Sequence, residues 1–316
     1  MISVVLATYN SIRYIKKQLD SIVKQTVPVN EVIIVDDYST DDTVAFIRNY
    51  ILENNLDNWK VYRHEKNQGY IETFRDALGD AKGDIIITCD HDDVWLENKV
   101  EVIKKEFVNN PSILYLATSF VQIDENDNEV VIKQKKNRGN NNLIRRRVHK
   151  GKLTKMYVKD VAIYNIAPGC TCAMNKKLRD IYIPADEHIL PHDWTLAIMA
   201  ACKSGLYYLD VPTTKYRIHS DNAIGLGHEG KYSKRLKVVK KNVLEKERIS
   251  EIIEQFEIDA KTMNYMKSVN KIFCERYKYL KEKNIIKLLI LSVVSLRFGT
   301  VYESIIYDCI SILNGE

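Results

Sequence analysis

Residues 90–93 read Asp90-His91-Asp92-Asp93 and directly follow the run Ile85-Ile86-Ile87-Thr88-Cys89. Three carboxylates within four residues repel one another unless a cation or another positive partner sits among them. Hard oxygen donors favour Mg2+ or Mn2+, ions that share their coordination with substrate phosphates. A solvated acidic turn has the same composition, so position matters: this turn ends a buried strand, where an α/β sheet binds its ligands. A second acidic turn, Val35-Asp36-Asp37-Tyr38-Ser39-Thr40-Asp41, ends another such run. Ser39 or Asp41 could equally cap the next helix, an explanation that serves Asp37 less well.

A third group is Pro191-His192-Asp193-Trp194, ahead of the apolar stretch Thr195-Leu196-Ala197-Ile198-Met199. Asp193 is either a helix N-cap, the commonest reason for an Asp there, or a general base held at a helix start. Gly225-Leu226-Gly227-His228-Glu229-Gly230 matches GxGxxG literally. A dinucleotide fingerprint must close a strand and open the helix of a βαβ unit. Here a basic helix follows with no strand after it, so the glycines read as a flexible gate.

The elements that must position these turns are legible in the first half. Residues 3–7, 31–35, 59–62 and 84–88 read as strands. Helical periods run between them, through Ile12, Ile15, Leu19 and Ile22, then Val44, Ile47 and Ile51, then residues 71–81. Strands alternating with helices imply a parallel sheet wrapped by helices. In the second half, 113–124 reads as one or two strands and 134–152 as a polar, mobile loop. Sheet character resumes over 162–174, a helix covers 194–202 and a strand 206–211. From residue 231 onward the chain is mostly helical.

With 316 residues, the chain can bury one large core and a smaller C-terminal unit. At 45% hydrophobic and 28% charged it is neither fibrous nor wholly disordered. A net charge of +5 says little by itself, but basic residues gather at 133–152 and 231–248. Neither segment sits in a nucleic-acid module, and stacking aromatics are sparse there, so no nucleic-acid partner is expected. The cysteines, Cys89, Cys170, Cys172, Cys202, Cys274 and Cys309, lack zinc-like spacing and have mostly apolar neighbours. Buried reduced thiols are expected, which suits a cytoplasmic compartment. No signal peptide is expected, since no basic segment precedes Ile2-Ser3-Val4-Val5-Leu6. The most apolar run, 285–296, is too short and too interrupted to span a bilayer.

Taken in order, Ala7-Thr8-Tyr9-Asn10, Val35–Asp41, Asn67-Gln68-Gly69-Tyr70, Cys89-Asp90-His91-Asp92-Asp93-Val94-Trp95 and His192-Asp193-Trp194 resemble the family 2 glycosyltransferases with a GT-A fold. The resemblance covers about residues 1–225. The DxDDxW form with HDW is most similar to the rhamnosyltransferase-type branch, although His91 stands where that branch usually has glutamine. It implies an α/β GT-A domain over 1–225, with a donor half of about 1–110 and an acceptor half of about 111–225. A helical region follows over 226–316. It further implies that Tyr9 and Asp37 hold a nucleotide base, with backbone contacts from Ala7. Asp90 would contact the ribose or sugar side of the donor, and Arg217 would lie near its diphosphate. Asp92, Asp93 and His219 would hold Mn2+ or Mg2+, and Asp193 would be the base.

That set describes an inverting transfer of a sugar from a nucleotide diphosphate donor to a glycan hydroxyl in bacterial surface polysaccharide synthesis. The donor would be dTDP-rhamnose or a UDP-hexose. A cation stabilises charge on the leaving phosphate, and one carboxylate takes the acceptor's proton. Two alternatives are a sugar nucleotidyltransferase and an idle carbohydrate- or partner-binding protein on the same fold. The former usually carries a Gly-rich basic loop, whereas residues 7–13 contain no Gly and one basic residue. Residues 231–248 interleave basic and apolar side chains. They read either as a solvated basic helix or as a peripheral contact with the inner face of the cell membrane, near a lipid-linked acceptor.

Overall fold

The computed structural model describes residues 1–185, 190–219, 232–298 and 301–314. It divides into two compact units: Met1–Tyr157 with Asn165–His219, and Val158–Tyr164 with Ser220–Glu316.

In the first unit, β1 (Ile2–Thr8), β2 (Glu31–Asp36), β3 (Trp59–Arg63) and β4 (Ile85–Asp90) alternate with α1 (Ile15–Val23), α2 (Thr43–Glu53) and α3 (Tyr70–Asp80). Then come β5 (Val94–Trp95), α4 (Lys99–Asn109), β6 (Tyr115–Ile123) and β7 (Leu153–Lys155). After the second unit's α5 (Val158–Val161) follow β8 (Cys172–Asn175), α6 (Lys176–Tyr182), α7 (His192–Cys202) and β9 (Leu206–Arg217). These strands form a nine-stranded sheet in the order β3-β2-β1-β4-β8-β6-β9-β5, with β7 also paired to β9. β1 to β4 pair in parallel, and β8 enters antiparallel between β4 and β6. Every residue of β1 and β2 is buried, which is why both read as unbroken apolar runs rather than alternating ones. Ile15, Leu19 and Ile22 of α1, Ile47 of α2 and Val100 and Ile103 of α4 close the core over Val4, Leu6, Val32, Ile34 and Ile87. In register, Ala7 faces Val35 on one side and Asp90 on the other, and Thr8 faces Asp36. The three acidic or polar turns therefore meet at one edge.

Several boundaries differ from expectation. β9 continues through Pro212 to Arg217: extra residues on β9 bulge out of its pairing with β6 at Thr118/Ser119 and Ser119/Phe120, the kind of irregularity at which a strand tolerates proline. Residues 162–174 are not one strand. Ile163 packs in the core of the second unit, and Gly169–Thr171 forms a single 3-10 turn before β8. The polar stretch 134–152 is anchored: Asn140 donates to the Ile166 carbonyl at 2.7 Å and Asn141 to that of Phe120 at 2.9 Å.

The second unit is helical: α5, α8 (Tyr232–Glu254), α9 (Ala260–Lys281), α10 (Ile285–Val294) and α11 (Val301–Asn314). Its core gathers Val239, Phe273, Leu280, Leu288, Leu291, Val301 and Ile305. Asp308, wholly buried, accepts from Arg235 and Arg276, each at 2.5 Å. The other face of α10 carries Ile286, Leu289, Ile290, Val293 and Val294, all exposed, with Ile286 at 74%. Among the described residues no helix is long and apolar enough to cross a membrane. The GxGxxG stretch, 225–230, lies outside the described residues.

Candidate active site

The turn after β2 folds around its acids. Asp36 accepts from Thr8 Oγ1 at 2.9 Å and from the Ser39 N–H at 2.8 Å, while Asp37 N–H donates back to the Thr8 carbonyl at 2.8 Å. Ser39 thus serves the turn rather than capping α2. Asp41 accepts from Thr43 N–H at 3.0 Å, one residue before the formal N-cap Asp42. The Asp37 carboxylate takes the N–H groups of Gln68 at 2.7 Å and Gly69 at 2.8 Å, and His64 Nδ1 lies 3.0 Å from it. Gly69 adopts φ 86°, a left-handed conformation that admits a glycine before α3. Tyr9 lies 45% exposed just past β1. His91 sets Nδ1 3.3 Å from the Ala7 carbonyl.

The acidic loop after β4 separates its carboxylates into different surroundings. Asp92 Oδ2 lies 2.9 Å from His219 Nε2, and the His219 ring stacks on Tyr14 at 5.2 Å. Asp93 is buried; one oxygen accepts the Arg217 N–H at 2.8 Å, and the Cys170 thiol lies within reach of its carboxylate. Asp90, Asp93 and Cys170 bring one potential ligand atom each within 4.8 Å of one another. Burial, then repulsion from Asp92 and Asp193, pushes Asp90 up to about 7. Burial and the same crowding raise Asp93 as well. Burial also pushes the Cys170 thiol well up, so it stands here as a neutral hydrogen-bonding group. Behind the loop, wholly buried Lys99 donates to Thr214 Oγ1 at 2.9 Å and to the Cys170 carbonyl, with Nζ 4.1 Å from the Trp95 ring centre. A lysine there places one positive charge beneath the acids.

Arg217 is turned inward. Its side chain is fully buried; Nε donates to the Asp92 carbonyl at 2.6 Å, Nη1 donates to that of Asp124 at 2.9 Å, and Nη2 pairs with Asp127 at 2.6 Å. It braces the acidic loop, whereas the expectation put it beside the diphosphate. No sequence pattern distinguishes the two, because both need an arginine at the end of β9.

Asp193 lies in the first turn of α7, whose N-cap is Pro191 without a side-chain bond. Its oxygens accept Trp194 N–H at 2.8 Å and Asn165 Nδ2 at 2.8 Å. Burial raises it to about 6, with those hydrogen bonds opposing. His192 is buried, stacked on Phe74 at 3.9 Å, and burial pushes it down to about 3, so it packs as a neutral ring. Gly169 leaves little room beside it: a Cβ there would stand 3.0 Å from His192 Nε2 and 3.4 Å from Asp193 Cβ, so the neighbours would have to give by a few tenths of an ångström. Lys99, Asn165, His64 and Cys170 escaped the sequence reading, since each finds its partner far along the chain. His64 carried one usable signal, its place immediately after a strand of a parallel sheet.

A model of glycosyl transferase family 2 matches residues 3–178, more than half of the chain. The chain belongs to this family. It is 40% identical over 94 residues to the poly(ribitol-phosphate) beta-N-acetylglucosaminyltransferase TarS of Staphylococcus aureus, a match covering 29% of this chain and 16% of TarS. It is 32% identical over 116 residues to WfgD of Escherichia coli, a UDP-Glc:alpha-D-GlcNAc-diphosphoundecaprenol beta-1,3-glucosyltransferase, covering 36% of this chain and 44% of WfgD. The matched segment spans less than half the length of the relatives just described. The structure of TarS 1–349 with UDP-GlcNAc superposes with a TM-score of 0.62 at 18% identity, covering 98% of this chain and 88% of that one. The mannosyltransferase PcManGT of Pyrobaculum calidifontis, with GDP-Man and Mn2+, gives 0.56 at 15%, covering 99% and 86%. The fold of the family 2 chain is thus GT-A, a mixed α/β sheet followed by a helical region.

Proposed function

We propose that this family 2 chain is an inverting, metal-dependent glycosyltransferase that moves a sugar from a nucleotide diphosphate donor to a glycan hydroxyl. The observation that carries the reading is Asp193: a buried carboxylate, raised to about 6, near enough to the acidic loop to repel Asp90. A base poised near neutral pH matches the task of deprotonating a hydroxyl. Asn165 and the Trp194 N–H hold the carboxylate in orientation. One base acting opposite the leaving group gives inversion without a covalent intermediate.

The donor set fits a hard divalent cation. Asp92 and His219 converge within hydrogen-bond distance, and the carboxylates of Asp90, Asp92 and Asp93 crowd and repel one another. Asp92, Asp93 and His219 would hold Mn2+ or Mg2+, which when bound would offset negative charge on the departing phosphate. Arg217 and Lys99 keep the loop in shape from behind. Tyr9 offers a ring face and Asp37 a carboxylate for the base, with the Ala7 backbone beside them; Asp90 faces the ribose or sugar.

A UDP-linked hexose or N-acetylhexosamine is the proposed donor, in keeping with UDP-GlcNAc on TarS and UDP-Glc in the name of WfgD. It displaces dTDP-rhamnose, the donor suggested by the resembling branch. The proposed acceptor is a glycan, free or lipid-linked, of a bacterial surface polysaccharide. We further propose a peripheral position on the inner face of the cell membrane. Five exposed aliphatic side chains line α10 with exposed Lys283 and Lys287 at its start, the pattern of a helix lying in an anionic interface. Release of nucleoside diphosphate from UDP-sugars tests the activity. Turnover needing Mn2+ or Mg2+ and lost in EDTA is expected; release of pyrophosphate, or none, refutes it.

A further inference from the structure

We infer that His64 is a positioning residue that fixes the Asp37 carboxylate for the nucleotide base, an inference that rests on the donor-binding reading of Asp37 above. Asp37 is 4% exposed, so its oxygens must find donors within the protein. A carboxylate offers about four acceptor sites. Oδ1 spends both of its own, on Gln68 N–H at 2.7 Å and His64 Nδ1 at 3.0 Å. Oδ2 spends one on Gly69 N–H at 2.8 Å. A single acceptor site on Oδ2 is left for the base, since the backbone donors take one site on each oxygen and His64 fills the second site on Oδ1. Without the third donor, Oδ1 has a vacant site too and the carboxylate can rock between them.

His64 can act this way because its ring is itself held. Its Nε2 lies 3.0 Å from Asp76 Oδ2 on α3, and the side chain is 9% exposed. The imidazole thus spans from the end of β3 to α3 with a carboxylate at each nitrogen. Asp37 lies buried and Asp76 half in solvent. A ring needed only to join β3 to α3 would require the Asp76 contact and be indifferent to what Asp37 binds.

The test is calorimetric titration of the full chain with UDP, beside donor KM, kcat and thermal melting. His64→Ala is expected to raise the Kd for UDP about tenfold, the scale of one hydrogen bond to a charged group. The change falls on donor KM rather than on kcat. His64→Asn keeps a donor near the Nδ1 position but loses Asp76, and is expected within about threefold of wild type. If His64→Ala does not fold, Asp76→Ala, which frees the far side of the ring, is expected to weaken UDP binding about threefold. UDP bound unchanged by His64→Ala or by Asp76→Ala, or as weakly by His64→Asn as by His64→Ala, overturns the inference while leaving the nucleotide reading intact. A wild-type chain that binds no UDP, dTDP or GDP overturns that reading, and the inference falls with it.

Discussion

Asp193→Asn separates chemistry from structure at the centre of the proposed mechanism. The variant cannot accept a proton, so transfer at saturating donor should fall by about 10² or more. Its effect on stability follows from the raised pKa. A carboxyl at about 6 in the folded chain against 3.8 unfolded favours the protonated folded state. The wild type is therefore penalised as pH rises from about 4 to about 6, and by a constant amount above that. Linkage puts the penalty at about 3 kcal/mol at pH 7 and roughly half of that at pH 5. Asparagine removes it, but one of the donors Trp194 N–H and Asn165 Nδ2 then meets an amide NH2 rather than an oxygen, costing about 1–1.5 kcal/mol. The net is a variant about 1–2 kcal/mol more stable at pH 7, or roughly 2–8 °C in Tm, with the advantage nearly gone at pH 5. Kinetics beside melts at pH 5 and pH 7 measure both. A variant within threefold of the wild-type rate and less stable at pH 7 would mean that Asp193 only supports the first turn of α7, and would refute the base.

Three further outcomes follow from the same geometry. Below about pH 6 the wild-type rate should decline tenfold per pH unit as Asp193 takes up its proton, a slope absent from Asp193→Asn; a flat profile from pH 7 to pH 5 contradicts the assignment. Asp92→Ala and His219→Ala should each abolish saturable Mn2+ binding, followed by electron paramagnetic resonance, while far-ultraviolet circular dichroism stays unchanged; undiminished binding would move the cation elsewhere. Replacing Ile286, Leu289 and Ile290 with serine should abolish co-sedimentation with anionic vesicles at low salt, and wild-type protein that does not sediment with such vesicles removes the membrane proposal.

Much of the donor half was legible because of how parallel sheets are built. β1, β2 and β4 are buried on both faces, so they stand out as runs of Ile and Val, and each run ends on the turn that carries its polar residues. Beyond residue 110 that grammar fades. The apolar residues of 158–167 serve two cores, Ile163 in the second unit and Ile166 near the loop held by Asn140, so they follow neither strand nor helix period. Pro212 hid the second half of β9, since a strand tolerates a proline there only through the bulge that β9 itself makes against β6. In the site, Asp37, Asp90, Asp92 and Asp193 announced themselves by type and place. Their supports did not. Lys99 reaches Thr214 across 115 positions and Asn165 reaches Asp193 across 28, and nothing local to either residue signals the partner. Arg217 was visible but its direction was not: an arginine aimed at a diphosphate and one that braces Asp92 from behind occupy the same position in sequence.

Saturation-transfer NMR of the wild-type chain with Mg2+ across UDP-, dTDP- and GDP-sugars tests the central claim most directly, because it reads donor binding before any acceptor is known. Transfer to the base, ribose and anomeric protons of a UDP-sugar, lost on Asp37→Ala, is the predicted result. No transfer from any of the three donor classes would contradict the assignment of this site to a nucleotide sugar.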